Sequence, residues 1–156
     1  ELEIMSYNDQ LTGLGNRYAL NKYMSTVDSS RSIGIVYCDV TGLKKVNDTE
    51  GHEMGDRLLK NACECLRRVF SDCGLFRIGG DEFLAAVNGV TREELNERVR
   101  LLKNDMKEHN VNMAVGEVWT DKPPENPDVL LTEAEKLMYQ DKADYYKRTG
   151  IDRRKY

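Results

Sequence analysis

Hydrophobic positions along this chain follow two rhythms, one continuous or of period two and one of helical spacing, and together they divide it into alternating strands and helices. The longest apolar run, Ile33-Gly34-Ile35-Val36-Tyr37-Cys38-Asp39-Val40, has the pattern of a strand buried on both faces. It ends at a carboxylate, Asp39, an expensive group to bury unless something positive meets it. Shorter runs at 75–78 and 83–87 read as two strands joined by a tight turn through Gly79 and Gly80, whose glycines can take positive φ. Residues 111–119 read as a further strand, with Trp119 a core-edge aromatic rather than a platform for a ligand.

Helical spacing places Tyr18, Leu20, Tyr23, Met24 and Val27 on one element, and Leu58, Leu59, Ala62, Cys65, Leu66, Val69 and Phe70 on a second that runs from Gly55. The capping box Thr91-Arg92-Glu93-Glu94 opens a third, with Leu95, Val99, Leu102 and Met106 inward. After a loop marked by Pro123, Pro124 and Pro127, the stretch Thr132-Glu133-Ala134-Glu135 begins or continues a last helix carrying Leu137, Met138, Tyr139, Lys142, Tyr145 and Tyr146. Between the buried strand and the second helix, residues 41–56 are polar and rich in turn formers. Residues 1–8, with Leu2, Ile4 and Met5 apolar, look like the end of an amphipathic helix entering from upstream, and the basic tail Asp152-Arg153-Arg154-Lys155 is expected to fray.

Composition narrows the function classes. The 156 residues suffice for one domain with a single core, and 40% hydrophobic with 32% charged residues describes an ordinary globular protein. A net charge of -4 argues against a general nucleic-acid or anionic-membrane surface. No apolar run reaches spanning length, and the first residues carry no signal-peptide pattern. Cys38, Cys63, Cys65 and Cys73 form no Cys-x-x-Cys pair and read as reduced, mostly core-facing thiols of a cytoplasmic protein. His52 and His109 lie far apart without metal-ligand spacing, which argues against zinc.

The chemistry concentrates at the two-glycine turn. Asp81 and Glu82 are adjacent carboxylates that repel unless a cation neutralises them, and hard divalent ions prefer such oxygen ligands. The bare backbone of Gly79 and Gly80 can approach a bulky anion such as a phosphate, although Asp at a glycine turn is equally an ordinary solvated hairpin. Asp39 completes an oxygen cage with them if its strand pairs beside the hairpin; otherwise a backbone turn satisfies it. Lys44, five residues further on, is within reach of a phosphate at the strand end. Asn47 and Asp56 offer acceptors to the N–H donors of a guanine edge, which adenine lacks, and both residues also suit helix capping. Lys142 reads as a solvated helix lysine unless its helix end faces the hairpin.

Those residues carry a resemblance. Arg77-Ile78-Gly79-Gly80-Asp81-Glu82-Phe83 holds the signature of the GGDEF domains, the diguanylate cyclases. Asp9-x-Leu11-Thr12-Gly13-Leu14-x-Asn16-Arg17 resembles that family's entry motif. Asp39 to Lys44 with Asn47-Asp48, Gly51-His52 and Gly55-Asp56 resembles its metal and guanine segment, and residues 134–142 its closing helix, with Tyr139 and Lys142 at the expected places. The similarity divides the chain into 1–8, the end of an upstream signalling helix or linker, and 9–156, the GGDEF domain.

The resemblance implies an α+β fold, a palm-like nucleotidyl-cyclase (ferredoxin-like) domain whose central, mainly antiparallel sheet is wrapped by helices. It implies condensation of two GTP into cyclic di-GMP with loss of pyrophosphate, in a homodimer whose domains face each other with one GTP each. Carried over by position, Asp39, the Val40 carbonyl and Asp81 hold magnesium or manganese, and Glu82 supports a second ion. Lys44 and Lys142 neutralise the β- and γ-phosphates, Gly79 and Gly80 admit the nucleotide, Asn47 and Asp56 read guanine, and His52 orders that loop. Either Asp81 or Glu82 can assist as base, and an upstream sensory domain is expected.

Thr41 and Leu43 depart from the family pattern without removing a proposed ligand. Phe70-Ser71-Asp72-Cys73 replaces the product-inhibition motif, so feedback there is expected to be weak or absent. Ala114-Val115-Gly116 stands where Ser-x-Gly is usual, and Tyr146-Lys147 where an Arg is often found. The rival to an active cyclase is a non-catalytic GTP-binding or dimerisation module; a product containing adenine is disfavoured by Asp56.

Overall fold

The structure, a computed structural model, describes residues 6–150; the expected helical end at Leu2, Ile4 and Met5 and the basic tail from Asp152 lie outside them. The elements are α1 (Arg17–Ser25), β1 (Ile33–Val40), α2 (Leu43–Glu50), α3 (His52–Phe70), β2 (Gly74–Arg77), β3 (Glu82–Asn88), α4 (Arg92–Glu108), β4 (Met113–Thr120) and α5 (Asp128–Thr149). The four strands form one antiparallel sheet in the order β2-β3-β1-β4. This is the split β-α-β arrangement of the ferredoxin-like fold, with β1 in the middle.

Alternation along the strands sends side chains to two helical layers. Val36, Cys38 and Val40 of β1, Phe83 and Ala85 of β3, and Met113 and Val115 of β4 pack with the inward stripes of α3 and α4. Ile33, Ile35 and Tyr37, with Leu84, Ala86, Ala114 and Val118, pack under α1 and α5. Being covered on both faces, β1 is buried throughout, which is why its sequence shows no polar alternation. The stripe Leu95, Val99, Leu102 and Met106 is buried as its spacing requires, and Thr91 caps α4 by accepting from the Glu94 amide at 3.0 Å.

Two expectations are corrected. Residues 41–56 are two helices rather than an extended turn, because Gly51, at φ 91°, ends α2 and starts α3 without an intervening loop. Gly55 is tolerated inside α3 because Asn47 of α2 packs onto it; a Cβ there would lie 1.8 Å from Asn47 Oδ1. The last helix begins at Asp128, after Pro127, whose fixed φ suits a helix start, so the stretch from Thr132 to Glu135 continues it, one of the two readings its sequence allowed. Finally, Gly79 and Gly80 do not adopt positive φ; the left-handed glycines are Gly13, Gly42, Gly51, Gly89 and Gly150.

Candidate active site

The register of β1 against β3 sets Asp39 opposite Glu82, and the Val40 amide donates to the Asp81 carbonyl at 2.8 Å. The end of the buried strand and the tip of the hairpin are therefore stitched together, and the three acidic residues meet. Asp39 is 4% exposed on the α5 side of the sheet. There Lys142 Nζ approaches Asp39 Oδ2 at 3.3 Å, so this lysine faces the hairpin rather than solvent.

One lysine does not satisfy the group. Oδ1 of Asp39 is buried without a hydrogen-bond donor. Burial, and then the adjoining Asp81 carboxylate, push the Asp39 carboxyl up to about 7 despite Lys142. Two ionised carboxylates in contact repel, and only a proton or a cation between them makes the contact favourable. Burial works against the charge on Lys142, but Asp39 raises its affinity for the proton.

Glu82 turns away from that pair. Its Oε2 lies 3.2 Å from the Tyr37 hydroxyl, which also lies 3.0 Å from Glu135 Oε2 on α5. Burial raises Glu82 above the usual carboxylate range; the Tyr37 hydrogen bond opposes this, and Asp81 and Glu135 add to it. Burial together with Glu82 and Glu135 drives the Tyr37 phenol far above its ordinary value. The expected single cage of three acids is thus two lobes, Asp39 with Asp81 and Glu82 with Tyr37 and Glu135. Tyr37 and Glu135 escaped the sequence reading because one sits in a core-type run and the other in an ordinary helix start. The available signal was periodicity, with Tyr37 two residues before Asp39 and Glu135 seven before Lys142.

The hairpin tip is anchored from the entry segment. Arg77 donates to the Gly80 carbonyl at 2.7 Å and to both oxygens of Asp9 at 3.2 Å. Asp9 in turn accepts from the Thr12 amide at 2.9 Å and hydroxyl at 2.7 Å. Burial pushes against the charge on Asp9, but the Thr12 and Arg77 bonds hold it below its ordinary value. A Cβ on Gly79 would meet Glu82 Oε1 at 2.6 Å and push that side chain aside, whereas Gly80 looks onto open space.

Lys44 lies in the first turn of α2 and is exposed, directly after the acidic strand end. The residue at the start of α2 is Gly42, which has no side chain and gives no side-chain cap, and a helix start of that kind suits an anion. Asn47 of α2 packs onto Gly55, the residue before the exposed Asp56 of α3, and neither Asn47 nor Asp56 caps a helix. His52, exposed in the first turn of α3, makes no hydrogen bond or ion pair among the described residues. Beside the end of β1 a cavity of about 280 Å³ is lined by Thr41, Lys103, Asn112, Asp141, Tyr145 and Arg148, and not by Asp39, Asp81 or Glu82.

The donor set fits a hard divalent ion. Asp39 and Asp81 supply oxygen ligands, and the unpartnered Oδ1 is a buried acceptor of the kind a cation satisfies. Elsewhere Cys65, Asp105 and His109 bring three ligand atoms within 4.8 Å of one another. That position is filled by Arg68, whose guanidinium holds Asp105 at 2.8 and 3.0 Å, while burial, and then Asp105, keep the Cys65 thiol protonated by pushing it up to about 12. Cys38, Cys63 and Cys65 are buried free thiols, and Cys73 is half-buried. No helix among the described residues is long and apolar enough to cross a membrane.

The family model described as "Diguanylate cyclase, GGDEF domain" matches residues 6–148. The chain is 30% identical over 154 residues to the diguanylate cyclase DgcS of Shewanella oneidensis, covering 92% of this chain and 52% of that protein. It is 36% identical over 98 residues to the cyclic di-GMP phosphodiesterase PdeR of Escherichia coli, covering 60% of this chain and 15% of that protein. It thus spans about half or less of these relatives. The GGDEF domain of DgcB from Caulobacter crescentus, solved in complex with c-di-GMP, superposes with a TM-score of 0.77 at 20% identity, covering 98% of this chain and 96% of that one.

Proposed function

The chain belongs to the GGDEF domain family, and on that premise we propose that it is a diguanylate cyclase condensing two GTP into cyclic di-GMP and pyrophosphate. The observation that carries this reading is the contact between Asp39 and Asp81, with a buried oxygen left unpartnered and Lys142 alongside. A structural acid pair gains nothing from such an arrangement, whereas a metal-assisted phosphoryl-transfer site depends on it.

In this reading Asp39, the Val40 carbonyl and Asp81 would hold magnesium or manganese, and Glu82 would support a second ion. When bound, the metal polarises the α-phosphate and eases deprotonation of the incoming 3′-hydroxyl. The chain's own residues do the remainder. Lys142 and Lys44 neutralise the outer phosphates, and the uncapped amides of α2 receive phosphate oxygens. Gly80, with open space above it, lets the triphosphate lie close to the hairpin. Asn47 on α2 and Asp56 on α3 accept from the guanine edge. Asp81 or Glu82 takes the hydroxyl proton. Because each domain carries one GTP, bond formation needs a second copy facing the first, and use of GTP places the domain in the cytoplasm, under control of an upstream sensory region.

The test is chromatography of the nucleotides formed from GTP and Mg2+ at high protein concentration. Cyclic di-GMP is expected, with specific activity rising with protein concentration as two domains meet by diffusion. GTP bound but unchanged would overturn the enzyme and leave a nucleotide-binding signalling module.

A further inference from the structure

The Tyr37 hydroxyl lies between two carboxylates, 3.2 Å from Glu82 Oε2 and 3.0 Å from Glu135 Oε2. A hydroxyl carries one hydrogen, so with both carboxylates ionised it donates to one of them at a time. The arrangement therefore has two states of similar hydrogen-bond content. In the first, Tyr37 donates to Glu82 and holds that carboxylate beside the phenol. In the second, it donates to Glu135 and leaves Glu82 free to turn toward Asp81.

Three separate elements fix this geometry. Tyr37 shares a face of β1 with Asp39, and Asp39 lies opposite Glu82, so the phenol reaches Glu82 diagonally across the strand pair. Its ring is 4% exposed and packed beneath α5, which gives the hydroxyl a set position. Glu135 lies on the same face of α5 as Lys142, two turns away, and Lys142 grips Asp39. That helix is seated directly on Gly116, where a Cβ would strike the Ala134 carbonyl at 2.3 Å.

Resting on the function proposed above, we infer that Tyr37 and Glu135 are a positioning pair for Glu82, and that their shared hydrogen sets how much divalent cation the site needs. Neither residue touches the reacting groups; each acts through the orientation of Glu82.

The two residues then have effects of opposite sign. Tyr37→Phe keeps the ring, removes the competitor for Glu82, and tightens cation binding. Glu135→Ala removes the alternative acceptor, so Tyr37 holds Glu82 back and cation binding weakens. A hydrogen bond to a charged group corresponds to about a tenfold change in each direction. Loss of local order would instead weaken binding in both variants. Glu135→Ala also removes a negative charge, an effect that persists without Tyr37, and the double variant separates the two contributions.

The experiment is a Mn2+ titration of the chain, with free Mn2+ read by electron paramagnetic resonance in the presence of 3′-deoxy-GTP, which lacks the attacking hydroxyl and does not cyclise. The expected result is a lower Mn2+ Kd for Tyr37→Phe, a higher one for Glu135→Ala, and a Glu135→Ala effect that shrinks below about threefold when Tyr37 is already Phe. Shifts in the same direction, or a Glu135→Ala effect undiminished in the double variant, would overturn the inference while leaving the proposed function intact. No Mn2+ binding by the unaltered chain would overturn both.

Discussion

Replacing Asp39 with Asn should make the metal-free protein more stable while ending its activity. Raising a carboxyl from 3.8 to about 7 disfavours its ionised form in the fold by roughly 4 kcal/mol, at about 1.4 kcal/mol per factor of ten. The folded state holds this proton more tightly than the unfolded chain. Its contribution to stability is therefore complete below about pH 4 and is lost as pH rises through about 7. Asn carries no charge and can donate to Asp81, so it escapes that loss. Against this, an amide fits the site imperfectly, at a cost of about 2 kcal/mol; the attraction of Lys142 is already contained in the raised value. The net expectation is a gain of about 2 kcal/mol at pH 8, or a Tm rise of about 4–8 °C for a domain of this size. At pH 5, about one unit above the unfolded value, only part of that loss has accrued, so the difference should be clearly smaller than at pH 8. The assay is thermal unfolding of both proteins in chelator at pH 5 and pH 8, followed by cyclic di-GMP formation with Mg2+, which the variant should lack. A Tm difference that does not grow with pH, or a variant less stable at pH 8, would refute the electrostatic reasoning.

Further expectations concern base reading, helix seating and feedback. Asp56→Ser should relax the preference for GTP over ATP by about tenfold in competition binding, as expected for one lost charge-assisted bond; unchanged discrimination would remove Asp56 from base reading. Gly116→Ala should lower stability by about 3 kcal/mol, read as a Tm loss, because its methyl group would meet the backbone of α5 at Ala134 and Met138; an unchanged Tm would show that α5 is free to shift. Added cyclic di-GMP should leave the initial rate unchanged, since Phe70 is buried and Asp72 is already held by Arg98 at 2.7 and 2.8 Å; inhibition in rate assays would locate a product site elsewhere.

Much of this was legible because local pattern and tertiary role coincide. Strand β1 is apolar throughout because helices cover both faces, and the inward residues of α4 follow from spacing alone. Asp39 stood out because a carboxylate ending such a run needs a partner. That its partners would be Asp81 and Lys142 depended on the β1–β3 register and the path of α5, which the local sequence does not encode. The glycine turn misled in a specific way. What lies close to Gly79 is the tip of the Glu82 side chain, a contact made in space, and its backbone is not left-handed. Gly51 was equally deceptive, since one residue of unusual φ joins two helices where a polar segment suggested a loop. Tyr37 and Glu135 were hidden because a phenol in an apolar strand and an acid in a helix are unremarkable until a fold aligns them.

The central claim is that Asp39 and Asp81 meet in order to share a divalent cation beside a triphosphate. Crystals grown with Mn2+ and 3′-deoxy-GTP, examined by anomalous diffraction, test it directly. The account predicts a manganese peak between those two carboxylates with phosphate oxygens on its open side. A nucleotide bound without metal there, or manganese bound only at a position remote from Asp39, would contradict it.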